Sequence, residues 1–216
     1  MDSLQEKLLP YKELIGKVAS VLSIAQFFSG IFICKDIYDR KSTRGISAVP
    51  FVGAILIGIL VLKYALILDD DAMLTVNIGV IIINTAYVIV YLYYSEDAWK
   101  EVFSHFLRGM ALVVVVIGYA YIENQDKLEY RYGFIIMILQ ILLLASPLID
   151  LANIISCKDA SSIPFPLTFM AAIVTFLWFI YSIILNNIFM MVQNFISFFV
   201  CAIQLGLIFM YGSYND

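Results

Sequence analysis

Seven apolar runs, each close to the length that crosses a bilayer, constrain this chain more than any other feature. Short polar segments separate the runs, which cover residues 17–37, 46–68, 72–94, 103–122, 131–156, 163–185 and 188–211. A helix needs about 20 mostly apolar residues to cross the hydrocarbon core, and it satisfies its own backbone hydrogen bonds there. The sequence therefore predicts an all-α membrane protein with seven transmembrane helices.

Composition and charge narrow the range of functions. Of the 216 residues, 62% are hydrophobic and 14% are charged, whereas soluble domains average about a quarter charged residues. The net charge of −4 provides no basic surface, so we expect the lipid bilayer and a small solute as partners, a homo-oligomer as an option, and no nucleic acid. His105 is the single histidine, which leaves no His-based metal cluster, and Cys34, Cys157 and Cys201 have no pairing spacing and are expected to be reduced. We therefore expect no metal and no cofactor.

The sequence contains an internal repeat. The phrase YALILDDDAMLTVN (64–77) returns as YSIILNNIFMMVQN (181–194), with Tyr, Ile, Leu, Met and the final Asn in common. Two further matches precede it: residues 29–41 align with 146–158, and VPF (49–51) aligns with IPF (163–165). Between the Pro-Phe motif and the Tyr, the second copy is three residues longer. Helices 1–3 are thus expected to repeat as helices 5–7.

The single helix between the two copies determines their relative orientation in the membrane. Three helices joined directly to three more would invert the second copy, whereas one additional helix restores its orientation. The predicted fold is therefore two parallel three-helix bundles joined by a linker helix (3+1+3), with a binding site where the copies meet, near the middle of the membrane. The expected segments are a lead-in 1–16, repeat one 17–94, a linker with the fourth helix 95–130, repeat two 131–211 and a short cytosolic tail 212–216.

Lysine and arginine in the short loops favour one orientation. One side of the predicted bundle collects Lys35, Arg40, Lys41, Arg44, Lys100, Arg108 and Lys158. The other side mixes its basic residues with many acids, including those at 69–71. This bias predicts an N-terminus outside and a C-terminus in the cytosol. A multi-pass protein of the plasma membrane is expected, and the Golgi membrane stays open as an alternative.

Two asparagines occupy equivalent apolar surroundings in the two copies. An unpaired amide in hydrocarbon costs several kcal/mol, so Asn77 and Asn194 should face the interior of the protein. One interpretation is helix–helix adhesion, worth about 0.6–2 kcal/mol. The pairing favours a ligand with hydroxyl groups, because an amide offers a donor and an acceptor together. Trp178, one turn before Tyr181, can stack on a sugar ring or serve as an interfacial anchor.

Several motifs occur in the order and spacing of a known family. They are KST (41–43) before VPF (49–51), DDAMLTVN (70–77), SPLIDLA (146–152), IPFPLTF (163–169) with LWFIYS (177–182), and VQN (192–194). From Val18 to Tyr211 the chain resembles the SWEET sugar transporters of the nodulin/saliva family. It is most similar to the animal members, because QFFSGIFIC carries Gly30 where plant members usually carry Pro.

The resemblance implies a function and a set of sites. The expected activity is that of a bidirectional facilitative sugar transporter (uniporter), which moves mono- or disaccharides by alternating access. By this resemblance the sugar-binding residues include Asn77 and Asn194, with Trp178 and, in place of a second Trp of many relatives, Val61. The hinge positions are Gly30, Pro50, Pro147 and Pro164, and the outer gate is Tyr64, Gly133 and Asn187. Asn187 departs from the usual Asp.

The residues themselves leave some of these roles open. Pro50 and Pro164 can also begin their helices, where a proline interrupts no hydrogen bond, and Tyr64 can belong to an aromatic belt. Gln26, one turn before Gly30, is expected to reach the cavity.

The remaining ionisable residues exclude some classes of protein. Asp150, predicted inside the fifth helix, has no intramembrane relay partner in the sequence, so a hydrogen-bonding role is preferred to proton coupling. An intramembrane hydrolase would need an acid pair or a Ser/His set, so no enzyme is expected. A seven-helix receptor predicts no internal repeat. The main alternative is a PQ-loop-type lysosomal amino-acid or other small-solute transporter, although the Pro-Gln dipeptide of that type is absent.

Overall fold

The computed structural model describes residues 2–161 and 163–212, with the backbone alone for residues 2, 3, 145–147, 149 and 150. Within these ranges the chain is helical and contains no strand. The α-helices are α1 Asp2–Leu8, α2 Lys12–Phe27, α3 Gly30–Arg40, α4 Val49–Leu68, α5 Asp71–Tyr94, α6 Ser104–Ile122, α7 Gln125–Leu143, α8 Ala145–Cys157, α9 Phe165–Ile184 and α10 Ile188–Tyr211. A 3₁₀ turn, Leu9–Tyr11, joins α1 to α2, and a π-helical turn, Trp99–Phe103, leads into α6.

Six helical segments of the described residues are long and apolar enough to cross a membrane. They are Leu4–Arg40, Val49–Leu68, Asp71–Tyr94, Trp99–Ile122, Phe165–Ile184 and Ile188–Tyr211. The predicted run 131–156 is not among them. That run is divided between α7 and α8, and the first turns of α7 carry several charged residues. The all-α membrane class is thus confirmed, with six of the seven predicted spans.

The first helix of each copy is interrupted at nearly the same place. In the first copy the break lies at Phe28 and Ser29, between α2 and α3, where the Ser29 amide donates to the Gln26 carbonyl over 3.1 Å. In the second copy it lies at Leu144, between α7 and α8, whose amide donates to the Ile141 carbonyl over 3.0 Å. These tight bonds close the helix end and redirect the chain. The sequence predicted each of these helices as continuous.

Residues Ser23–Tyr132 form one compact unit. In it α4 packs against α5 and α6, and α3 packs against α5. At one end Glu101, in the π-helical turn, accepts hydrogen bonds from Thr43 (3.1 Å) and Ser95 (2.5 Å). These bonds connect the α3–α4 loop, the end of α5 and the start of α6. The predicted linker helix, α6, is therefore an integral part of this unit.

The opposite end of the same unit is held by a second polar cluster. Glu123, after α6, accepts hydrogen bonds from Tyr119 and from Arg131 of α7, the latter over 2.6 Å. The Tyr119 hydroxyl, the Arg131 guanidinium and the Asn124 amide hold the pKa of Glu123 at about 2, below its ordinary value of 4.5. The carboxylate is therefore charged at any physiological pH.

The other compact unit contains Met1–Leu22 and Gly133–Asp216. Its described helices include α9 packed on α10, α8 on α10, and α1 on α9. The Gln5 side chain donates from Nε2 to the Ile184 carbonyl over 3.1 Å, at the end of α9. The N-terminal segment, expected to be an interfacial lead-in, thus covers a helix end of the second copy. The division by packing differs from the division by sequence repeat.

The turns of the two copies match in backbone conformation. Among the described non-glycine residues, four have positive φ: Lys41 (54°) and Lys158 (54°), and Asp69 (50°) and Asn186 (51°). Each pair is 117 residues apart, and each member ends a helix or enters the next turn. Left-handed backbone is unfavourable for a residue with Cβ, so its recurrence at matching positions indicates that each copy specifies the same turns.

Candidate functional site

The helices that carry the two candidate asparagines begin in the same way. Asp70 precedes α5 and accepts a hydrogen bond from the Met73 amide over 3.0 Å. Asn187 precedes α10 and accepts one from the Met190 amide, also over 3.0 Å. Each side chain caps an otherwise unpaired amide of the first turn. Because the caps are equivalent, the residues that follow them have the same rotational register.

Asn77 and Asn194 have the same local hydrogen bond. Asn77 Nδ2 donates to the Met73 carbonyl, and Asn194 Nδ2 donates to the Met190 carbonyl, each over 2.8 Å. Asn77 is buried and Asn194 is half-buried. An amide has two N–H donors and one carbonyl acceptor, so one donor and the acceptor remain beyond this bond. Each side chain is held in place while keeping the capacity to pair with hydroxyl groups.

The asparagines do not lie at the middle of their helices. Asn77 is the seventh residue of the 24-residue α5, and Asn194 is the seventh of the 24-residue α10. At about 1.5 Å per residue, each lies roughly 10 Å from the start of its helix. Each asparagine thus lies in the first third of its helix.

Trp178 lies at the same depth as Asn194. It is in α9, six residues before the helix ends at Ile184, and a three-residue turn separates α9 from α10. Packing of the two helices therefore brings both residues to about 9–10 Å from the turn. The indole is half-buried and meets the ring of Tyr181 edge-on, with centroids 5.4 Å apart and an angle of 90°. Val61 holds the matching place in α4 and is half-buried.

The three residues expected to form an outer gate differ in their surroundings. Tyr64 is 1% exposed, and its ring centroid lies 6.0 Å from that of Tyr132. This burial is unlike that of an aromatic-belt residue, which faces the membrane interface. Asn187 is the cap of α10, so it has a structural role independent of any gate. Gly133 is a buried residue of α7.

The four positions expected to act as hinges occur in two kinds of place. Gly30 begins α3 directly after the break in the first copy, and Pro147 is the third residue of α8, directly after the break in the second. Pro50 is instead the second residue of α4, and Pro164 precedes α9 and caps it. A proline in these places removes no helical hydrogen bond, so bending within a helix is not supported for Pro50 or Pro164.

The positions of the prolines within their helices differ from the positions that the sequence alignment gave them. The helices α4 and α9 both have 20 residues, and the second residue of each is proline, Pro50 in α4 and Pro166 in α9. By position in the helix, Pro166 corresponds to Pro50, although the Pro-Phe motif aligned Pro164 with it.

The side chains of Pro147 and Asp150 are outside the described part of the structure.

The structure adds two residues that the sequence reasoning missed. Asn84 is 3% exposed in α5, two turns beyond Asn77, and its Nδ2 donates to the Val80 carbonyl over 2.8 Å. Tyr87 donates to the Phe27 carbonyl over 3.1 Å, which satisfies an acceptor at the α2–α3 break. An amide in an apolar run was a visible signal for Asn84. Gln26, by contrast, is half-buried in the last turn of α2, and its carbonyl belongs to that break.

One family model matches the chain twice. The family is described as "Sugar efflux transporter for intercellular exchange", and its model covers residues 13–98 and again 131–216. The chain belongs to this family. The double match confirms the internal repeat, and it agrees with the resemblance to the SWEET transporters. Membership of a transporter family also agrees with the expectation that the chain is not an enzyme.

Individual relatives support the same family. "Sugar transporter SWEET1" of Drosophila pseudoobscura pseudoobscura is 28% identical over 92% of this chain and 89% of its own length. "Bidirectional sugar transporter N3" of Medicago truncatula is 27% identical over 91% of this chain and 75% of its own length. A solved structure of a eukaryotic SWEET transporter has the same fold, with a TM-score of 0.85, 20% identity and coverage of 94% of this chain and 98% of that one.

These relatives favour the SWEET interpretation over the PQ-loop alternative. The insect protein is an animal-type SWEET, in line with the resemblance of the Gly30 region. Within this SWEET-family chain, the helix caps Asp70 and Asn187 and the asparagines Asn77 and Asn194 are the equivalent features of the two copies that bear on function.

Proposed function

We propose that this SWEET-family protein is a passive, bidirectional sugar carrier. It moves mono- or disaccharides by alternating access, and Asn77 and Asn194 hold the sugar hydroxyl groups. Trp178 stacks on the sugar ring from the second copy, whereas Val61 leaves space on the side of the first. Relatives named sugar transporters support the substrate class, and one of them is named bidirectional.

The recurrence of one binding geometry in both copies carries the proposal. Both asparagines follow a capped helix start by seven residues, and both make the same 2.8 Å bond to their own backbone. Helix–helix adhesion at one position would not require this repetition. Binding of a solute with many hydroxyl groups would require it, because donors and acceptors of both copies must form hydrogen bonds with the solute as access alternates.

We further propose a seven-helix, 3+1+3 arrangement, with α7 and α8 together as the fifth helix. Charge bias in the loops supports an outside N-terminus and a cytosolic C-terminus. We place the protein in the plasma membrane, with the Golgi membrane as the alternative. The breaks at Ser29–Gly30 and at Leu144 serve as the points about which the bundles change shape, with Gly30 and Pro147 beside them. Tyr64, Gly133 and Asn187 form the outer gate, and Gln26 borders the path.

Uptake of labelled sugars, normalised to surface protein, tests the proposal. In cells without endogenous transport, Asn77→Ala and Asn194→Ala should each reduce uptake per molecule about tenfold to hundredfold, because a buried hydrogen bond to the ligand is lost. Asn84→Ala is the matched control, since it removes an equally back-bonded asparagine of the same helix. Normal uptake per molecule in both Asn77 and Asn194 variants, with lower abundance, would establish adhesion instead.

A further inference from the structure

A cavity of about 360 Å³ lies in the Ser23–Tyr132 unit, and its lining includes neither Asn77 nor Asn194. It is formed where α4 and α6 end and α7 begins. Its walls combine apolar and polar side chains: Lys63, Leu66, Ile67, Ala120, Tyr121, Gln125, Leu128 and Glu129. Two of the contributing helices are apolar enough to span the membrane, so the cavity lies at the level where such helices emerge from the hydrocarbon.

Lys63 is the feature of this cavity that requires explanation. It is the single charged residue of α4, and it lies five residues before that helix ends. Its Nζ atom is 4.7 Å from the centroid of the Tyr121 ring. In the described part of the chain it has no carboxylate partner within 4.0 Å. A cation within an apolar span is unfavourable unless it reaches water or a counter-charge.

The part of the cavity lining that α7 contributes carries the complementary charge. Glu129 lies in the second turn of α7, and Gln125 is the first residue of that helix. The cavity therefore presents one cation, one anion, an amide and the face of an aromatic ring. Leu66 and Tyr121, which are 59% and 75% exposed, continue the wall onto the apolar outer surface. This combination matches a zwitterion attached to acyl chains better than it matches a free anion.

We propose that this cavity binds the headgroup of a zwitterionic glycerophospholipid. The phosphate pairs with Lys63, whose Nζ already lies 4.7 Å from the centroid of the Tyr121 ring, and the ammonium group pairs with Glu129. Leu66 and Ile67 then contact the glycerol and the upper part of the chains. The site does not depend on sugar transport.

Lipid retention measured by native mass spectrometry tests the proposal on the full chain. The protein is purified from nanodiscs containing equal parts of phosphatidylethanolamine, phosphatidylcholine and phosphatidylglycerol. The wild type should retain about one zwitterionic lipid, and Lys63→Gln should reduce that retention about tenfold. Lys127→Gln, in the first turn of α7 but outside the cavity lining, is the control and should change nothing. Lys63→Arg should retain the lipid.

Two further measurements distinguish other ligands. Glu129→Gln should shift retention from the zwitterionic lipids towards phosphatidylglycerol, because the counter-charge for the ammonium is lost. Soluble phosphoethanolamine should not displace the lipid at millimolar concentration. Equal retention in Lys63→Gln and Lys127→Gln, a preference of the wild type for phosphatidylglycerol, or displacement by phosphoethanolamine or inorganic phosphate alone would each overturn the proposal.

Discussion

Gly30 of α3 lies directly against the ring of Tyr87 in α5. A Cβ atom at position 30 would approach the Tyr87 ring to within 2.9 Å of Cδ2 and 3.0 Å of Cζ, inside van der Waals contact. Tyr87 is 6% exposed, packs on Phe51 with centroids 5.4 Å apart, and donates to the Phe27 carbonyl. The ring therefore cannot move aside without losing both contacts.

Gly30→Ala is therefore expected to destabilise the protein by about 1–3 kcal/mol, the usual range for an overpacked site. The aligned residue of the second copy is Pro147, so the repeat by itself predicts that Gly30→Pro is tolerated. The contact with Tyr87 contradicts that expectation, and Gly30→Pro should be at least as harmful. Thermal unfolding in detergent measures both effects. Gly118→Ala, where a Cβ meets nothing within 4 Å, should leave the melting temperature unchanged or raise it.

The cap at Asn187 permits a test of its two proposed roles. If capping dominates, Asn187→Ala should cost about 0.5–2 kcal/mol of stability, whereas Asn187→Asp should retain the cap, as Asp70 does in the other copy. Uptake per surface molecule should then be unaffected by Asn187→Asp. A large change in transport rate with unaltered melting temperature would instead support the gate.

Trp178 and Val61 should determine which sugars are accepted. Trp178→Ala removes a stacking surface and should raise KM about two- to tenfold, with a smaller effect on the maximal rate. Val61→Trp should reduce uptake of larger sugars, because it fills the space left in the first copy. A panel of labelled mono- and disaccharides measures both. An unchanged order of preference in Val61→Trp would mean that position 61 does not line the path.

Asp150 tests the passive character of transport. Efflux and uptake should proceed at similar rates, and a protonophore should leave both unchanged, because α8 supplies a single carboxylate for any relay. Asp150→Asn should therefore leave the final ratio of internal to external sugar at one. Accumulation above that ratio in the wild type, lost in Asp150→Asn, would indicate coupling to protons.

Glu123 predicts how stability changes with pH at one end of the Ser23–Tyr132 unit. Its pKa falls from 4.5 to about 2 on folding, so the folded state favours the charged form. The contribution is fully present above pH 4.5 and is lost as the pH falls towards 2. The melting temperature of Glu123→Gln should lie below that of the wild type by a constant difference from pH 8 to pH 5. Below pH 4.5 this difference should shrink, and a difference that grew on acidification would contradict the assigned charge state.

The sequence was sufficient for the class of fold and for the most regular helices. Runs such as 72–94 and 188–211 differ by at most one residue from α5 and α10 at either end, because apolar length and the polar caps at Asp70 and Asn187 both define their limits. The breaks at Phe28–Ser29 and at Leu144 were not predicted. Both lie inside apolar runs, beside Gly30 in the first copy and three residues before Pro147 in the second, and the bonds that close them depend on backbone geometry.

The candidate site was predictable to a similar degree. Asn77 and Asn194 could be identified because an amide in hydrocarbon is costly and because the repeat doubles the signal. Asn84 is also an amide in an apolar run, but the repeat does not support it, because the equivalent residue of the second copy, 117 positions later, is Cys201. The constraint on Gly30 could not be foreseen, because it arises from a ring 57 residues away that only the packing of α3 on α5 brings close.

The left-handed turns at Asp69 and Asn186 have a consequence for biosynthesis. They make α4–α5 and α9–α10 helical hairpins whose contacts are local in sequence. Local contacts form early in folding, because little loop entropy is lost. Each hairpin can thus enter the bilayer as a preassembled pair before the remaining helices arrive. Faults at these turns would consequently be seen as failed insertion and degradation, earlier than any loss of transport.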